Sequence, residues 1–311
     1  MVEFRRVLVA VSPGRLDGSC LRPIGEMAAA DHAAVTLLDV VEPLPAWRRV
    51  VNVEGRTVDV GSMMMASRQE ALVRQAEDMG IPDVQVVVKT GKPAVEAIRH
   101  VQAEGCDLVV VGEAASSAGH LPGLSAGVMQ LLRKCPVPVW VMRPCRSEDV
   151  RILALVDPDP SDPVRDGLND AVLDMAVSMT RRRGGHLHVA HAWTLPGESA
   201  FSSSPFLSIP PVEIEMMLHV VEDEHRSRFD SLIYRHAVSD VGGVVHLVQG
   251  DPGKVLPELA RHLGVNLIVM GTVARTGLAG LIMGNTAETI LRSVSCSVLA
   301  IKPAGFVSPV H

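Results

Sequence analysis

Short apolar runs alternate along this chain with longer segments in which apolar residues recur at helical spacing. In the first half, the apolar runs predict strands and the periodic segments predict helices. The predicted strands are Arg5–Ser12, Ala34–Val41, Val84–Val88, Leu108–Val111 and Val139–Met142, and the predicted helices are about Ser19–Ala30, Ser67–Met79, Pro93–Ala103 and Val128–Arg133. Strand and helix in regular alternation predict one parallel sheet with right-handed crossovers.

The second half of the chain repeats the first. Gly91–Pro144 aligns without a gap on Gly250–Pro303, with eleven identical positions at a constant offset of 159. Several of the identical residues are turn glycines and prolines, which mark constraints on the backbone. The first strand also recurs, at Arg151–Asp157. The sequence therefore predicts an internal duplication, with one domain at 1–146 and a second at 147–311.

The fourth strand of the second half, Leu267–Met270, leads into a glycine-rich loop with Gly271, Gly277, Gly280 and Gly284. A helical pattern begins directly after this loop. Backbone N–H groups and the positive end of the helix dipole then point at one place, which suits an anion. Glycines allow the backbone to approach a phosphate closely. The alternative interpretation is a set of plain turn glycines.

The segment GTVARTGLAGLIMGNTAETIL resembles the nucleotide motif of the universal stress protein family, G-x2-G-x9-G-(S/T). Gly271 and Gly284 match the first and third glycines. Ala274 stands at the second glycine, and Asn285 stands where Ser or Thr is usual, with Thr286 beside it. The resemblance covers nearly the whole chain. It implies two tandem open five-stranded α/β sheets of order 3-2-1-4-5, Rossmann-like and similar to the adenine nucleotide alpha hydrolases, with helices on both faces.

The same resemblance implies an adenine nucleotide, ATP or a relative, at the carboxyl ends of the C-terminal strands, with Mg²⁺ as a candidate companion ion. This location agrees with the rule that ligands sit at the topological switch point. Asp157 matches a family position near the adenosine, and Met270 matches a position that lines the adenine pocket. Arg275 is a candidate phosphate contact or a solvated loop residue. Asp157 also fits a turn made with Pro158, and Thr286 also fits a helix cap.

The first half departs further from the family motif. Ser12 replaces the aspartate, and Ala115 stands at the second glycine. Ser125 stands at the third glycine, although Gly112 is kept. Glu113 adds a negative charge close to where phosphates would lie. We therefore predict that the N-terminal half binds no nucleotide and serves as a packing partner.

Composition limits the class of protein. The net charge is −6 without a basic stripe, which argues against nucleic acid as a partner. No apolar stretch reaches the length of a membrane span, and no signal peptide is visible. Five cysteines without C-x-x-C spacing indicate reduced thiols, so we expect a cytoplasmic protein.

Histidines in the second half raise the question of a metal. His186 and His188 would share one face of a strand, with His191 on the other. No matching Cys or acidic ligand set is visible, so an exposed strand end is favoured and no metal site is assigned.

Several classes of function stay open. No Walker lysine and no nucleophile elbow is present, so we assign no catalytic residues. The family resemblance implies a binding protein of the stress response. The alternatives are a weak ATPase or phosphotransferase, and an interaction module for a lipid or small apolar ligand. The apolar fifth strands, Val139–Met142 and Val298–Ile301, are predicted sheet edges that seek partners. In the family such strands pair between domains, so we expect an intramolecular pseudo-dimer, and a homodimer is compatible with the same feature.

Overall fold

The computed structural model describes residues 2–11, 18–45, 50–53, 56–81, 83–113, 124–144, 149–195, 210–272 and 283–310. The chain divides into two compact units. The N-terminal unit consists of Glu3–Arg146, Ser295–Ala300 and Phe306–His311. The C-terminal unit consists of Met1–Val2, Ser147–Val294 and Ile301–Gly305.

The N-terminal unit is built on a parallel sheet whose strands alternate with helices. Its strands are β1 Arg6–Val11, β2 Ala34–Val41, β5 Gln85–Thr90, β6 Leu108–Gly112 and β7 Val139–Met142, with β3 Val50–Val53 and β4 Arg56–Asp59 forming a separate antiparallel hairpin. Its helices are α1 Gly18–Asp31, α2 Val60–Met79, α3 Pro93–Glu104 and α4 Ala126–Lys134. The parallel strands lie in the order β5-β2-β1-β6-β7, which is the predicted order 3-2-1-4-5.

The fifth strand of the second repeat, β12 Ser297–Ile301, extends this sheet. Val298, Leu299 and Ala300 pair with β7 in the antiparallel sense, with Leu299 opposite Trp140. The backbone N–H of Arg143, just after β7, also donates to the Ser297 hydroxyl (3.1 Å). Most of β12 is therefore part of the N-terminal unit, although it comes from the second half of the sequence.

The C-terminal unit repeats the same plan. Its strands are β8 Arg151–Leu155, β9 His186–Trp193, β10 Val244–Gln249 and β11 Leu267–Gly271, and its helices are α5 Pro163–Arg183, α6 Pro211–Arg235, α7 Pro252–His262 and α8 Asn285–Ser293. The parallel strands lie in the order β10-β9-β8-β11, which is 3-2-1-4. The N–H of Thr272 donates to the carbonyl of Ile301, so the end of β12 adjoins the end of β11 (3.2 Å).

The strands carry near-continuous apolar runs because helices cover both faces of parallel sheets. In β6, Leu108 to Val111 are at most 2% exposed, and Ile152 to Ala154 of β8 are fully buried. The duplication is also visible in the backbone. The equivalent turn glycines Gly91 and Gly250 both have positive φ, 156° and 133°. The predicted α/β class with doubly wound parallel sheets is therefore confirmed.

Local details differ from the sequence prediction. Helix α2 begins at Val60 rather than near Ser67, because the Asp59 carboxylate caps it by accepting the N–H of Ser62 (3.1 Å). The β3–β4 hairpin was not predicted. Among the described helices, none combines the length and the apolar character that crossing a membrane needs.

Candidate functional site

A cavity of about 320 Å³ opens at the carboxyl ends of β8 and β11 in the C-terminal unit. Five of the residues singled out from the sequence line it: Asp157, Gly271, Gly284, Asn285 and Thr286. Its other walls come from β8 and β9 and from helices α5, α7 and α8; the lining residues there are Leu155, Val156, Arg165, Leu168, Asn169, His191, Ala192, Pro252, Leu256, Ala287 and Ile290. The cavity is thus mostly apolar with a few polar groups, as is typical of small-molecule sites.

The floor of the cavity requires glycine at the end of β11. A Cβ atom on Gly271 would lie 2.5 Å from Cδ2 of Leu168 on α5, closer than two such carbon atoms can approach. Gly271 therefore lets α5 pack tightly against the strand, and its role does not depend on a ligand. Beyond it, the Thr272 hydroxyl accepts a hydrogen bond from the buried Lys302 ammonium group (2.8 Å).

The N-terminus of α8 faces the cavity. Gly284 is its N-cap, so no side chain there accepts the first N–H groups of the helix, and its own N–H donates to the Thr272 carbonyl (3.2 Å). Asn285 and Thr286 form the first turn and line the cavity. Among the described residues no side chain caps these N–H groups, and together with the positive end of the helix dipole they favour an anion at this end.

Asp157 lines the same cavity as the N-terminus of α8 and follows the end of β8. Two hydrogen bonds with Asn169 fix its backbone. The Asp157 N–H donates to Asn169 Oδ1 (2.9 Å), and Asn169 Nδ2 donates to the Asp157 carbonyl (2.9 Å). Asn169 is 4% exposed, so its amide fixes this turn from the interior of α5. The Asp157 carboxylate itself is 66% exposed.

Arg165, in the first turn of α5, forms an ion pair with Asp157. Its guanidinium Nη1 lies 3.0 Å from the Asp157 carboxylate and 3.4 Å from that of Asp159. The guanidinium Nε lies 3.9 Å from the carboxylate of Asp162, the N-cap of α5. Arg165 thus faces three carboxylates, and Arg228 of α6 adds a second positive charge near Asp159, so carboxylates still outnumber the cations at this end. Such an end is suited to hydroxyl or amino donors rather than to phosphate.

His191 forms a buried part of the cavity wall. Its Nδ1–H donates to the Val156 carbonyl (3.2 Å), since a carbonyl can only accept. Its Nε2 therefore accepts from Nδ1–H of His225 on α6 (2.8 Å) when the ring is neutral. Burial lowers the pKa of His191 to about 4, with the His225 ring beside it adding to the shift and the Asp157 charge opposing it. His225 stacks on Trp193, and burial lowers its pKa as well.

The remaining predicted residues lie elsewhere. Met270 is 3% exposed within β11 and is not among the described residues that line the cavity, and its place in an adenine pocket stays a prediction. It packs in the core because side chains of a central parallel strand are covered on both faces. Ala274 and Arg275 lie outside the described residues, as do Gly277 and Gly280.

Sequence reasoning missed Arg165, Asn169 and His225. Asn169 could have been noticed as a polar residue next to Leu168 on the buried face of α5. His225 gave no such signal, because its partner His191 lies 34 residues away on another element. Arg165 lies within eight residues of its partners, so the preceding Asp157, Asp159 and Asp162 are the signal that could have pointed to it. The predicted separation of His188 and His191 on β9 agrees with their different neighbours, His246 and His225.

The equivalent region of the N-terminal unit is arranged differently. Gly112 ends β6 as Gly271 ends β11, but Glu113 and Ser125 occupy the positions of Thr272 and Gly284. The Glu113 carboxylate accepts the Ser125 N–H (3.2 Å) and the Ser125 hydroxyl (3.1 Å) at the start of α4. Ser12 and Ala115 lie outside the described residues. The prediction that this half binds no nucleotide stays a prediction.

Comparison with known proteins gives a consistent family. The model of the universal stress protein family matches residues 3–143 and again 151–302. Universal stress protein E of Escherichia coli K12 is 26% identical over 239 residues, which cover 75% of this chain and 72% of that protein. The universal stress protein E homolog of Haemophilus influenzae is 28% identical over 180 residues, and the match spans only 55% of that protein's length.

Solved structures share the fold. A functionally unknown protein from Pseudomonas aeruginosa PAO1 superposes with a TM-score of 0.70 at 22% identity, covering 96% of this chain and 93% of the other. A universal stress protein from Archaeoglobus fulgidus gives a TM-score of 0.60 at 18% identity, with 95% and 98% covered. At these identities the likeness concerns the fold alone.

Proposed function

Because this chain belongs to the universal stress protein family, we propose that it is a stress-response binding protein that holds ATP or a related adenine nucleotide in the cavity of its C-terminal unit. The observation that carries this proposal is the pairing of an uncapped helix N-terminus with a carboxylate in one cavity. Gly284 begins α8 at one end, and Asp157 lies at the other.

The two ends suit different parts of a nucleotide. The N-terminus of α8, with Asn285 and Thr286, offers N–H, amide and hydroxyl donors for phosphate oxygens. The Asp157 carboxylate offers acceptors for ribose hydroxyls. The apolar walls between them, including Leu168 and Ile290, suit a purine ring. Mg²⁺ would accompany the phosphates as a ligand of the nucleotide, not through an assembled protein cage.

Binding without turnover fits the chemistry of the wall. His191 is the imidazole that borders the cavity, and both of its ring nitrogens already have partners, Val156 and His225. It is therefore committed as a structural group and not as a general base. We propose that ligand occupancy, rather than hydrolysis, sets the state of the protein.

We also propose the domain organisation expected from the sequence, 1–146 and 147–311, a pseudo-dimer of these two domains within the chain, and a cytoplasmic location. The duplicated family match supports the two domains. A homodimer would add a second level of assembly. Size-exclusion chromatography with light scattering separates a monomer from a dimer.

The test is the thermal shift of the full chain with ATP and Mg²⁺. A ligand that binds the folded state raises its stability by about 2.7 kcal/mol at a hundredfold excess over Kd. Asp157→Ala should weaken binding by about tenfold or more, since a hydrogen bond to a charged group contributes about 1.5–3 kcal/mol. Asp240→Ala is the matched control, because Asp240 is 68% exposed and pairs with Arg181. A shift that is absent, or equal in all three proteins, would contradict the proposal.

A further inference from the structure

Two histidines on neighbouring strands of the C-terminal unit face each other through their ring nitrogens. His188 lies on β9 and His246 on β10, and the register places His188 opposite Val244, two residues before His246. His188 Nδ1 is 3.0 Å from His246 Nε2. The ring centroids are 5.2 Å apart and the planes are inclined by 41°. A single hydrogen can lie between these two nitrogens when both rings are neutral.

Both rings are partly buried. Burial lowers the pKa of His246. Burial also lowers the pKa of His188, and the neighbouring His246, His186 and Arg151 add to that shift. Neutral imidazole is the form of the ring that binds metal ions.

The distance between the two ring nitrogens can be compared with the distances expected for two ligands of one metal ion. Two nitrogens that bind one ion at about 2.0–2.1 Å lie roughly 3.4 Å apart at a tetrahedral angle and about 2.9 Å apart at a right angle. The observed 3.0 Å is close to the right-angle value. Nitrogen ligands at right angles are typical of Cu²⁺ and Ni²⁺, which prefer tetragonal sites.

We propose that His188 and His246 form a two-histidine site for Cu²⁺ or Ni²⁺, in which the metal replaces the hydrogen between the rings. The ring that carried this hydrogen binds as its other tautomer, with the proton on its second nitrogen, so two neutral imidazoles bind without net proton release. Zn²⁺ binds more weakly, both by the general order of divalent affinities and because it prefers the wider tetrahedral angle.

Water completes the coordination. Within the described residues, no group of three or more His, Cys, Asp or Glu side chains is arranged around one possible ion position. His186 lies two residues before His188, on the same face of β9, but its ring is 66% exposed and lies 3.8 Å from the Asp149 carboxylate. It is therefore a neighbour of the pair in this structure and not one of its ligands.

The site is separate from the nucleotide cavity. Side chains alternate along a strand, so His188 and His191 lie on opposite faces of β9. His191 lines the cavity, whereas neither His188 nor His246 is among the lining residues. Metal binding and nucleotide binding can therefore fail independently.

The experiment is a titration of the full chain with Cu²⁺ or Ni²⁺ in a non-coordinating buffer, followed by calorimetry. Electron paramagnetic resonance of the Cu²⁺ form counts the bound nitrogens. We expect one high-affinity ion with two imidazole nitrogens. His188→Ala and His246→Ala should each weaken metal affinity by about tenfold or more. Loss of a residue that only hydrogen-bonds to a metal ligand already costs about tenfold in affinity, and these substitutions remove a ligand itself. His219→Ala, which removes an exposed histidine of α6, should leave binding unchanged.

The outcomes separate the alternatives. Unchanged affinity in both single variants, or a spectrum with fewer than two imidazole nitrogens, would show that the pair is a hydrogen bond only. The spectrum of the wild-type protein decides the matter even if a variant does not fold. A normal thermal shift with ATP in His246→Ala would show that loss of metal binding leaves the nucleotide site intact.

Discussion

The carboxylate of Glu113 accepts both the backbone N–H and the hydroxyl of Ser125, at distances of 3.2 and 3.1 Å. Ser125 is also the N-cap of α4 and accepts the N–H of Val128 (3.4 Å). At the equivalent point of the second repeat, Gly284 begins α8 without a side-chain cap. The N-terminal half thus carries its own anion at this helix start, whereas the equivalent helix start of the C-terminal half has a glycine N-cap.

Glu113 should therefore contribute to stability. Its negative charge faces the N-terminus of α4, where such a charge contributes about 0.3–1 kcal/mol, and its hydrogen bonds add to this. We expect Glu113→Ala to lower the free energy of unfolding by about 1 kcal/mol in urea denaturation. Glu70→Ala, at an exposed position of α2, should have a smaller effect. Equal effects of the two substitutions would mean that Glu113 is an ordinary surface residue.

Asn169 should matter for both stability and nucleotide affinity. Replacing it with leucine leaves the part-buried N–H and carbonyl of Asp157 without their Asn169 partners, at a cost of about 1–3 kcal/mol. Asn169→Asp keeps an acceptor for the Asp157 N–H but removes the donor to its carbonyl. In denaturant unfolding the wild-type protein should therefore be more stable than both variants. In ATP titration it should bind ATP more tightly than both. Full nucleotide affinity in Asn169→Leu would contradict a positioning role for this residue.

Acid should destabilise the C-terminal unit through His191. Its pKa is lowered from 6.5 to about 4 in the folded protein, so the unfolded state binds the proton more tightly. The stabilising contribution is complete above about pH 6.5 and is lost as the pH falls towards 4. The loss is on the order of 3 kcal/mol.

Unfolding free energies measured between pH 7 and 4 test this expectation. The pKa values of other histidines, including His100, are also lowered by burial, so they add to the same trend. The decisive quantity is the difference between the wild-type protein and His191→Gln, whose stability should fall less steeply with acid. Parallel curves would assign the acid sensitivity to other groups.

Gly271 and Gly167 make a matched pair for testing close packing at the cavity. A Cβ on Gly271 would lie 2.5 Å from the Leu168 side chain and collide with it. A Cβ on Gly167, the residue before Leu168 on α5, would meet nothing within 4 Å. Overpacking costs about 1–3 kcal/mol, so Gly271→Ala should destabilise the protein.

The control substitution should act in the opposite direction. Gly167→Ala should stabilise the helix by about 0.5–1 kcal/mol, because glycine is unfavourable in a helix interior. Calorimetric unfolding of both variants, and of Gly271→Ala combined with Leu168→Ala, gives the coupling between the two sites. If the effects of the two substitutions on the unfolding free energy simply add in the double variant, the Cβ of residue 271 does not collide with Leu168.

Much of the fold could be predicted from the sequence because its strands are buried on both faces. Leu108–Val111 and Val139–Met142 read as apolar runs without polar alternation, and they are strands in the structure. The glycine-rich segment of the second repeat predicts Gly271 at a strand end and Gly284 at a helix start. The structure brings both glycines to one cavity together with Asp157.

Features that depend on tertiary partners could not be predicted. The His225–His191 and His246–His188 contacts join residues 34 and 58 positions apart, and no local pattern encodes such pairs. The hairpin of Val50–Val53 with Arg56–Asp59 was missed because its strands are short. Only the family resemblance places Met270 in an adenine pocket, and in the structure this residue is 3% exposed within β11.

Native mass spectrometry of the freshly purified full chain tests the central claim most directly. The account predicts one adenine nucleotide per chain, retained in Asp240→Ala and reduced in Asp157→Ala, because a single cavity in the C-terminal unit holds it. A chain that carries an acyl-sized mass, two nucleotides, or no nucleotide even after addition of ATP would contradict the account.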